Sequence, residues 1–153
     1  MRIRDILSGL KVKDIAGADQ THVVTVTPEE SLADAARTLS EKKIGVLVVC
    51  DDRGQLVGVL SERDIVRAVA AYGKDAVGKS VDAFMTRKVE TCSLSDPPHR
   101  VIRRMSLGNF RHMPVMEGKA IKGLISSKDI VKYYVESGNP EQLAHLLKGF
   151  SWV

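Results

Sequence analysis

The strongest constraint on this chain is a short stretch that occurs twice. Gly58-Val59-Leu60-Ser61-Glu62-Arg63-Asp64-Ile65-Val66 returns as Gly123-Leu124-Ile125-Ser126-Ser127-Lys128-Asp129-Ile130-Val131. Ser61 and Ser126 lie 65 positions apart, and self-similarity at such an interval is the mark of an internal duplication. The fold must therefore be built from two like units. In each copy an apolar, strand-like run hands over to an amphipathic one, so the serine falls where a strand meets a helix and reads as an N-cap. The acidic residue three places on can reach back to complete a capping box. Unpaired N–H groups and the positive end of a helix make the same spot suited to a phosphate.

The rest of the chain repeats around these two stretches. His22 to Val26 is β-rich, Thr27 to Ser31 supplies a turn, and Ser31 to Lys42 puts Leu32, Ala35, Ala36 and Leu39 on one helical face. Ile44 to Cys50 is nearly all apolar, as a strand buried on both faces should be, and it is joined through Asp51 to Gly54 to a partner strand, Gln55 to Leu60. A helix follows from Ser61 to about Tyr72 and stops near Gly73. The order strand, helix, strand, strand, helix then returns: Val89 to Cys92, a helix opening at Asp96-Pro97-Pro98, a hairpin of Phe110 to Met116 with Ala120 to Ile125, and a closing helix from Ser126 to Glu136. This predicts residues 1–21 as a leading helix (Arg2 to Gly9) and polar connector, 22–73 and 89–137 as the repeats, 74–88 as a linker, and 138–153 as a tail. The tail carries a further helical stretch, Glu141 to Lys148, and then Phe150, Trp152 and Val153, suited either to oligomer contact or to packing on the chain's own core.

Composition narrows the class. With 153 residues and 44% hydrophobic content the chain can bury two small cores. It has no apolar run long enough for a membrane span and no signal-peptide core near Met1, so the cytoplasm is the expected compartment. Cys50 and Cys92 have neither metal-ligand nor redox spacing and read as small core residues. The net charge of +4 suits anionic ligands, but only 5% of residues are aromatic, which argues against a stacking platform for nucleic acid. Arg100, Arg103 and Arg104 read as a solvated helix face, and His22, His99 and His145 as surface or structural residues.

A β-α-β-β-α unit ending in Gly-apolar-apolar-Ser-x-x-Asp, present twice and joined through Phe84-Met85-Thr86, resembles a tandem pair of cystathionine β-synthase (CBS) domains, the Bateman module. Arg111-His112-Met113-Pro114-Val115 is similar to the family's usual strand, and the likeness covers roughly residues 22–137. It implies a mixed α/β (α+β) fold of two repeats packed about a pseudo-twofold axis, with clefts for AMP, ADP or ATP, or for NAD(H) or S-adenosylmethionine. It implies a homodimer and, for a sensing module, an unknown regulated protein partner; no membrane association is expected, from the lack of a long apolar run. The prolines at Pro97 and Pro98 depart from the family pattern, shifting the helix start beside one cleft.

The residues can be asked whether they suit that chemistry. A carboxylate offers two acceptor oxygens to the two vicinal hydroxyls of a ribose, which assigns Asp64 and Asp129 to the sugar. Ser61 and Ser126, with Arg63 and Lys128 in the same turns, are suited to the adjoining phosphate. By the family pattern the adenine would lie along Thr21 and Val23 in one unit and Met85, Thr86 and Val89 in the other, with the Val59 and Leu124 backbones near. Arg111 is a further phosphate candidate whose counterpart is Gly45, so the two clefts are expected to differ in affinity. His112 reads equally as a strand residue or a ligand contact. Ser-x-x-Asp by itself is also an ordinary helix cap.

The leading reading is a ligand-sensing module. The chain has no P-loop, no GxGxxG, no His/Cys/carboxylate metal set and no nucleophile beside a base, so no catalytic or metal residues are assigned. The alternatives are a nucleic-acid-binding protein using its basic surface and, less favoured, a small nucleotide-hydrolysing enzyme.

Overall fold

A computed structural model describes residues 1–9 and 23–148. Thr21, His22, the polar connector and the aromatic tail end fall outside the described residues. Those described form two compact units: 23–89 make one, and 1–9 with 90–148 make the other. Each contains its own mixed three-stranded sheet.

In the unit of residues 23–89, a short strand β1 (Thr25–Val26) runs parallel to β2 (Val46–Cys50), which pairs antiparallel with β3 (Leu56–Ser61). Helix α2 (Leu32–Lys42) links β1 to β2, and α3 (Glu62–Tyr72) follows β3. All five residues of β2 are buried, as its unbroken apolar sequence requires of a central strand. Ser31 caps α2 by accepting from the Asp34 N–H at 3.1 Å. Asp51 Oδ1 accepts from the Arg53 and Gln55 N–H groups, which holds the β2–β3 turn. Two 3₁₀ turns, Gly73–Gly78 and Val81–Ala83, then carry the chain back over the core.

That return segment is more than a connector. Ala76, Val81 and Met85, read from sequence as linker, are buried in the first repeat's core with Leu32, Leu47 and Leu60. Thr86 exchanges backbone bonds with Val59 (3.1 and 2.9 Å), adding a bridge to the edge of β3.

The second unit repeats the plan with β4 (Cys92–Ser93), α4 (Pro98–Gly108), β5 (His112–Glu117), β6 (Ala120–Ser126) and α5 (Ser127–Glu136). β4 runs parallel to β5, and β5 antiparallel to β6. Both hairpins carry a register shift at the same place, after Val49 in one and after Val115 in the other. The expected strand from Val89 to Cys92 is corrected: only Cys92 and Ser93 pair. The physical reason lies in Pro114, which stands where the first repeat has Val48: the Val48 N–H donates to the Val24 carbonyl at 3.2 Å, whereas a proline has no N–H to give the Glu90 carbonyl. The segment is tied instead to α4, the Arg104 guanidinium donating to the Thr91 carbonyl at 2.9 Å and to the Glu90 carboxylate at 3.0 Å. Arg104 therefore clamps its own unit, while Arg100 and Arg103 stay exposed as expected.

Helix α1 (Ile3–Gly9) belongs to this second unit, as does α6 (Pro140–Leu147). Ile3 and Ile6 are 0% and 1% exposed among Val101, Ile130 and Tyr134. The Ile3 and Arg4 N–H groups, which an α-helix leaves without internal partners, donate at 3.0 Å to the Asp96 and Leu94 carbonyls. Both cysteines are buried as expected. Desolvation, with some help from Asp96 and against a smaller pull from Arg104, pushes the Cys92 thiol up to about 12, and burial raises Cys50 as well, so neither is poised as a thiolate.

Candidate functional site

The two strand-to-helix turns have the same hydrogen-bonded frame. At the first, the Asp64 N–H donates to Ser61 Oγ at 3.3 Å, while Asp64 Oδ2 accepts from the Ser61 N–H at 2.8 Å and from its hydroxyl at 3.0 Å. At the second, the Asp129 N–H reaches Ser126 Oγ at 3.0 Å, and Asp129 Oδ2 accepts from the Ser126 N–H at 2.9 Å and from its hydroxyl at 2.7 Å. These are capping boxes closed by a third bond, and they form because Ser holds an extended backbone ahead of a helix whose third residue is acidic.

The frame divides each carboxylate into two unequal oxygens. Oδ2 is committed to the serine in both repeats. Oδ1 faces the Arg67 guanidinium at 3.7 Å in the first repeat. In the second, the matching Lys132 instead pairs with Glu136 at 3.8 Å, and among the described residues no ion pair falls on Asp129. A carboxylate oxygen has two lone pairs, so Oδ1 is the atom with capacity for a hydroxyl donor. Each serine hydroxyl has one proton and already gives it to Asp, so Ser61 or Ser126 must turn that proton away from the carboxylate to donate to a phosphate.

The first helical residue of each turn is held from the preceding hairpin. The Glu62 N–H donates to the Gly45 carbonyl at 3.0 Å and the Ser127 N–H to the Arg111 carbonyl at 2.9 Å. This places the exposed Arg111 at the mouth of the second turn, where the first has Gly45. His112 opens β5 and lies directly across from Ser126 in the ladder, where the first repeat pairs Val46 with Ser61. Arg63 and Lys128 occupy the second position of their helices, both exposed.

Met85 and Thr86, expected in the run leading into the second repeat's first strand, lie instead along β3 of the first repeat, with Thr86 bridged to Val59. The first unit thus brings together Val59, Ser61, Arg63, Asp64, Met85 and Thr86, and the second brings together Arg111, His112, Leu124, Ser126, Lys128 and Asp129. Val23 and Val89 are half-buried loop residues of the first unit, the Val89 N–H bonding the Arg87 carbonyl at 3.0 Å. Thr21 lies outside the described residues.

The glycine opening each motif has a packing reason. A Cβ on Gly58 would sit 2.7 Å from Met85 Sδ and 3.0 Å from the Thr86 carbonyl oxygen, and one on Gly123 would sit 3.1 Å from a Leu7 methyl. Sequence reasoning overlooked Glu62, Ser127, Arg67 and Lys132, the side chains by which the two turns differ most. Setting the copies side by side at the 65-residue offset is the signal that finds them. Among the described residues no cluster of three or more His, Cys, Asp or Glu could hold a metal, and no helix is long and apolar enough to cross a membrane.

Paired units of this form, each with a Ser-x-x-Asp box between strand and helix, define a tandem-repeat protein of β-α-β-β-α modules. The family model of the CBS domain matches twice, over residues 12–71 and 80–136, and the chain belongs to the CBS-domain family. Its structure is similar to that of the CBS-domain protein ATU1752 from Agrobacterium tumefaciens (TM-score 0.76, 38% identity, 86% of this chain and 91% of that one). It is also similar to the CBS domain pair of protein MJ0100, solved in complex with 5′-methylthioadenosine and S-adenosyl-L-methionine (TM-score 0.72, 27% identity, 90% and 98%). In sequence it is 35% identical over 122 residues to an L-aspartate semialdehyde sulfurtransferase of Methanosarcina acetivorans, covering 79% of this chain but 23% of that enzyme. The likeness there is to a part of a longer protein.

Proposed function

We propose that this chain is a regulatory sensor, in which each repeat can hold an adenosine-containing ligand at its strand-to-helix turn and a partner protein reads the resulting change. The observation that carries the reading is the duplicated carboxylate whose Oδ2 edge is held by the capping serine in both repeats. Asp129 is held by Ser126 through Oδ2, which fixes the rotamer and leaves Oδ1 for a ribose hydroxyl. Pre-fixing the acceptor lowers the ordering cost of binding. The complex of the MJ0100 pair with two adenosine derivatives supports the ligand class.

The ligands this reading admits are AMP, ADP or ATP, NAD(H), and S-adenosylmethionine. It includes a homodimer in the cytoplasm and a sensing role rather than catalysis. A signal requires that the ligand bind two conformations with different affinity, since a ligand of equal affinity shifts nothing. The test is titration calorimetry with adenine nucleotides, together with mass spectrometry of any small molecule that co-purifies. Asp129→Ala should weaken binding by at least about tenfold, from the loss of charge-assisted bonds. Unchanged affinity in both Asp129→Ala and Asp64→Ala would reject the sugar-binding role. Turnover of ATP by the purified chain would instead revive the enzyme alternative.

A further inference from the structure

Building on that nucleotide reading, we propose that the two turns sort adenosine ligands by charge: the second repeat takes the phosphorylated form, and the first selects against phosphate and takes a neutral or cationic adenosine derivative. The frames are the same, so the difference must come from the side chains mounted on them.

Three matched positions differ, and two of them change the charge in the same direction. At the first helical residue, directly after the capping serine, the first repeat carries the exposed carboxylate of Glu62 and the second the buried hydroxyl of Ser127. A carboxylate on the first helical residue is mounted beside the helix N-terminus that a phosphate on the ribose would approach, and like charges repel there. At the residue whose carbonyl anchors the helix, the first repeat has Gly45 and the second Arg111. Arg111 is exposed and joined through its backbone to the turn that would receive the phosphate, and a guanidinium mounted there offers donors for a bidentate contact. One turn further along the helix, Arg67 faces Asp64 Oδ1 at 3.7 Å, whereas Lys132 is drawn to Glu136. The cation of the first repeat is thus directed at the sugar-binding carboxylate, and a ribose must compete with it.

Two of these exchanges each make the second turn one charge more positive than the first. At exposed positions each such charge is worth up to about fivefold in affinity, less at high salt. The two together give on the order of tenfold preference for a dianionic phosphate at the second turn. A sulfonium or an uncharged thioether meets no such penalty at Glu62.

The test compares AMP with adenosine, which share base and sugar and differ only in the phosphate, by calorimetry on the full chain at low and at moderate salt. The expected result is two adenosine sites and two AMP sites about tenfold apart in affinity, the tighter AMP site being lost in Asp129→Asn. Glu62→Arg should tighten the weaker AMP site, and Glu62→Ser should do so to a smaller degree. Both substitutions are at an exposed helix surface, so folding is not at stake. Two equal AMP sites in the unaltered chain, or loss of the tighter AMP site in Asp64→Asn in place of Asp129→Asn, overturns the sorting by charge while leaving the nucleotide reading intact. Failure of either ligand to bind, or binding indifferent to both aspartate variants, overturns the nucleotide reading itself.

Discussion

The two repeats bury like sheets under different covers. Over Gly58 of the first lie Met85 and Thr86, which come from the chain that follows it; over Gly123 of the second lies Leu7, from the chain that precedes the first repeat. On the helix after the capping box the contrast is larger. Tyr134 of α5 is 6% exposed, packed in a core with Ile3 and Ile6 of α1 and Leu146 of α6. The equivalent flank of α3 leaves Val66, Val69 and Tyr72 at 66%, 51% and 49% exposure. Duplication preserves what a strand–helix unit needs in order to fold, namely the central apolar strand, the bulged hairpin and the cap. It does not preserve what covers the outside, because each copy recruits whatever chain lies within reach.

The sharpest way to test that contrast is to remove one cover. Ile3→Ala with Ile6→Ala takes two fully buried side chains out of the second unit's core. Each such truncation costs about 2–5 kcal/mol, and the pair, being neighbours on one helix turn, need not add. Urea unfolding followed by hydrogen exchange should show protection lost in β5, β6 and α5 and retained in β2 and β3. Equal loss in both sheets would show that α1 is not private to the second unit.

The two glycines give the next largest effect. Gly58→Ala must push against the Thr86 carbonyl, a backbone atom pinned by its bridge to Val59, while Gly123→Ala meets only the flexible end of Leu7. Overpacking of this kind costs about 1–3 kcal/mol when the neighbour cannot yield. Gly58→Ala should therefore lower the denaturation midpoint more than Gly123→Ala. Trimming Leu7 to Ala should restore the Gly123 variant more fully than trimming Met85 restores the Gly58 variant.

These differences mark where the sequence could and could not be read. The repeat, the central strands and both capping serines were legible because they depend on local pattern: an unbroken run such as Val46 to Cys50, or a Ser with Asp three residues on. The placement of α1 was not, since three apolar residues at helical spacing announce a buried face without naming what buries it. The same limit hid the role of Ala76, Val81 and Met85, whose polar surroundings read as a linker. The expected first strand of the second repeat is too long because Val89 to Cys92 has strand character, and the missing N–H of Pro114 bears on it only once that segment is known to lie beside β5. At the site, the serine and aspartate pairs stood out because they are repeated. Glu62 and Arg67 were passed over because they are not, and contrast between copies becomes visible only once the shared frame is known.

Removing the caps should have a smaller and symmetrical effect. Ser61→Ala and Ser126→Ala each delete the acceptor for the Asp N–H and one donor to Asp Oδ2, a loss of about 1 kcal/mol for an N-cap. The bond lengths in the two boxes are close, so the two variants should shift thermal unfolding alike. A marked inequality would mean that one box is supported by something beyond the turn itself.

The smallest effect concerns the pair that one box has and the other lacks. Arg67 is 70% exposed along its side chain, and its 3.7 Å approach to Asp64 is long for a charged hydrogen bond. Such a pair contributes about 0.5 kcal/mol at low salt and less as salt rises. Arg67→Ala should therefore leave stability almost unchanged, and the small loss should vanish in moderate salt. Lys132→Ala, on the other helix, removes only a solvent-facing partner of Glu136, 63% and 66% exposed, and should have no salt-dependent effect on the second box. If Arg67→Ala instead destabilised the first unit by more than about 1 kcal/mol, the Asp64 carboxylate, 10% exposed along its side chain, would depend on its cation as a buried charge does. The first turn would then be an internal ion pair first and a ligand site only second.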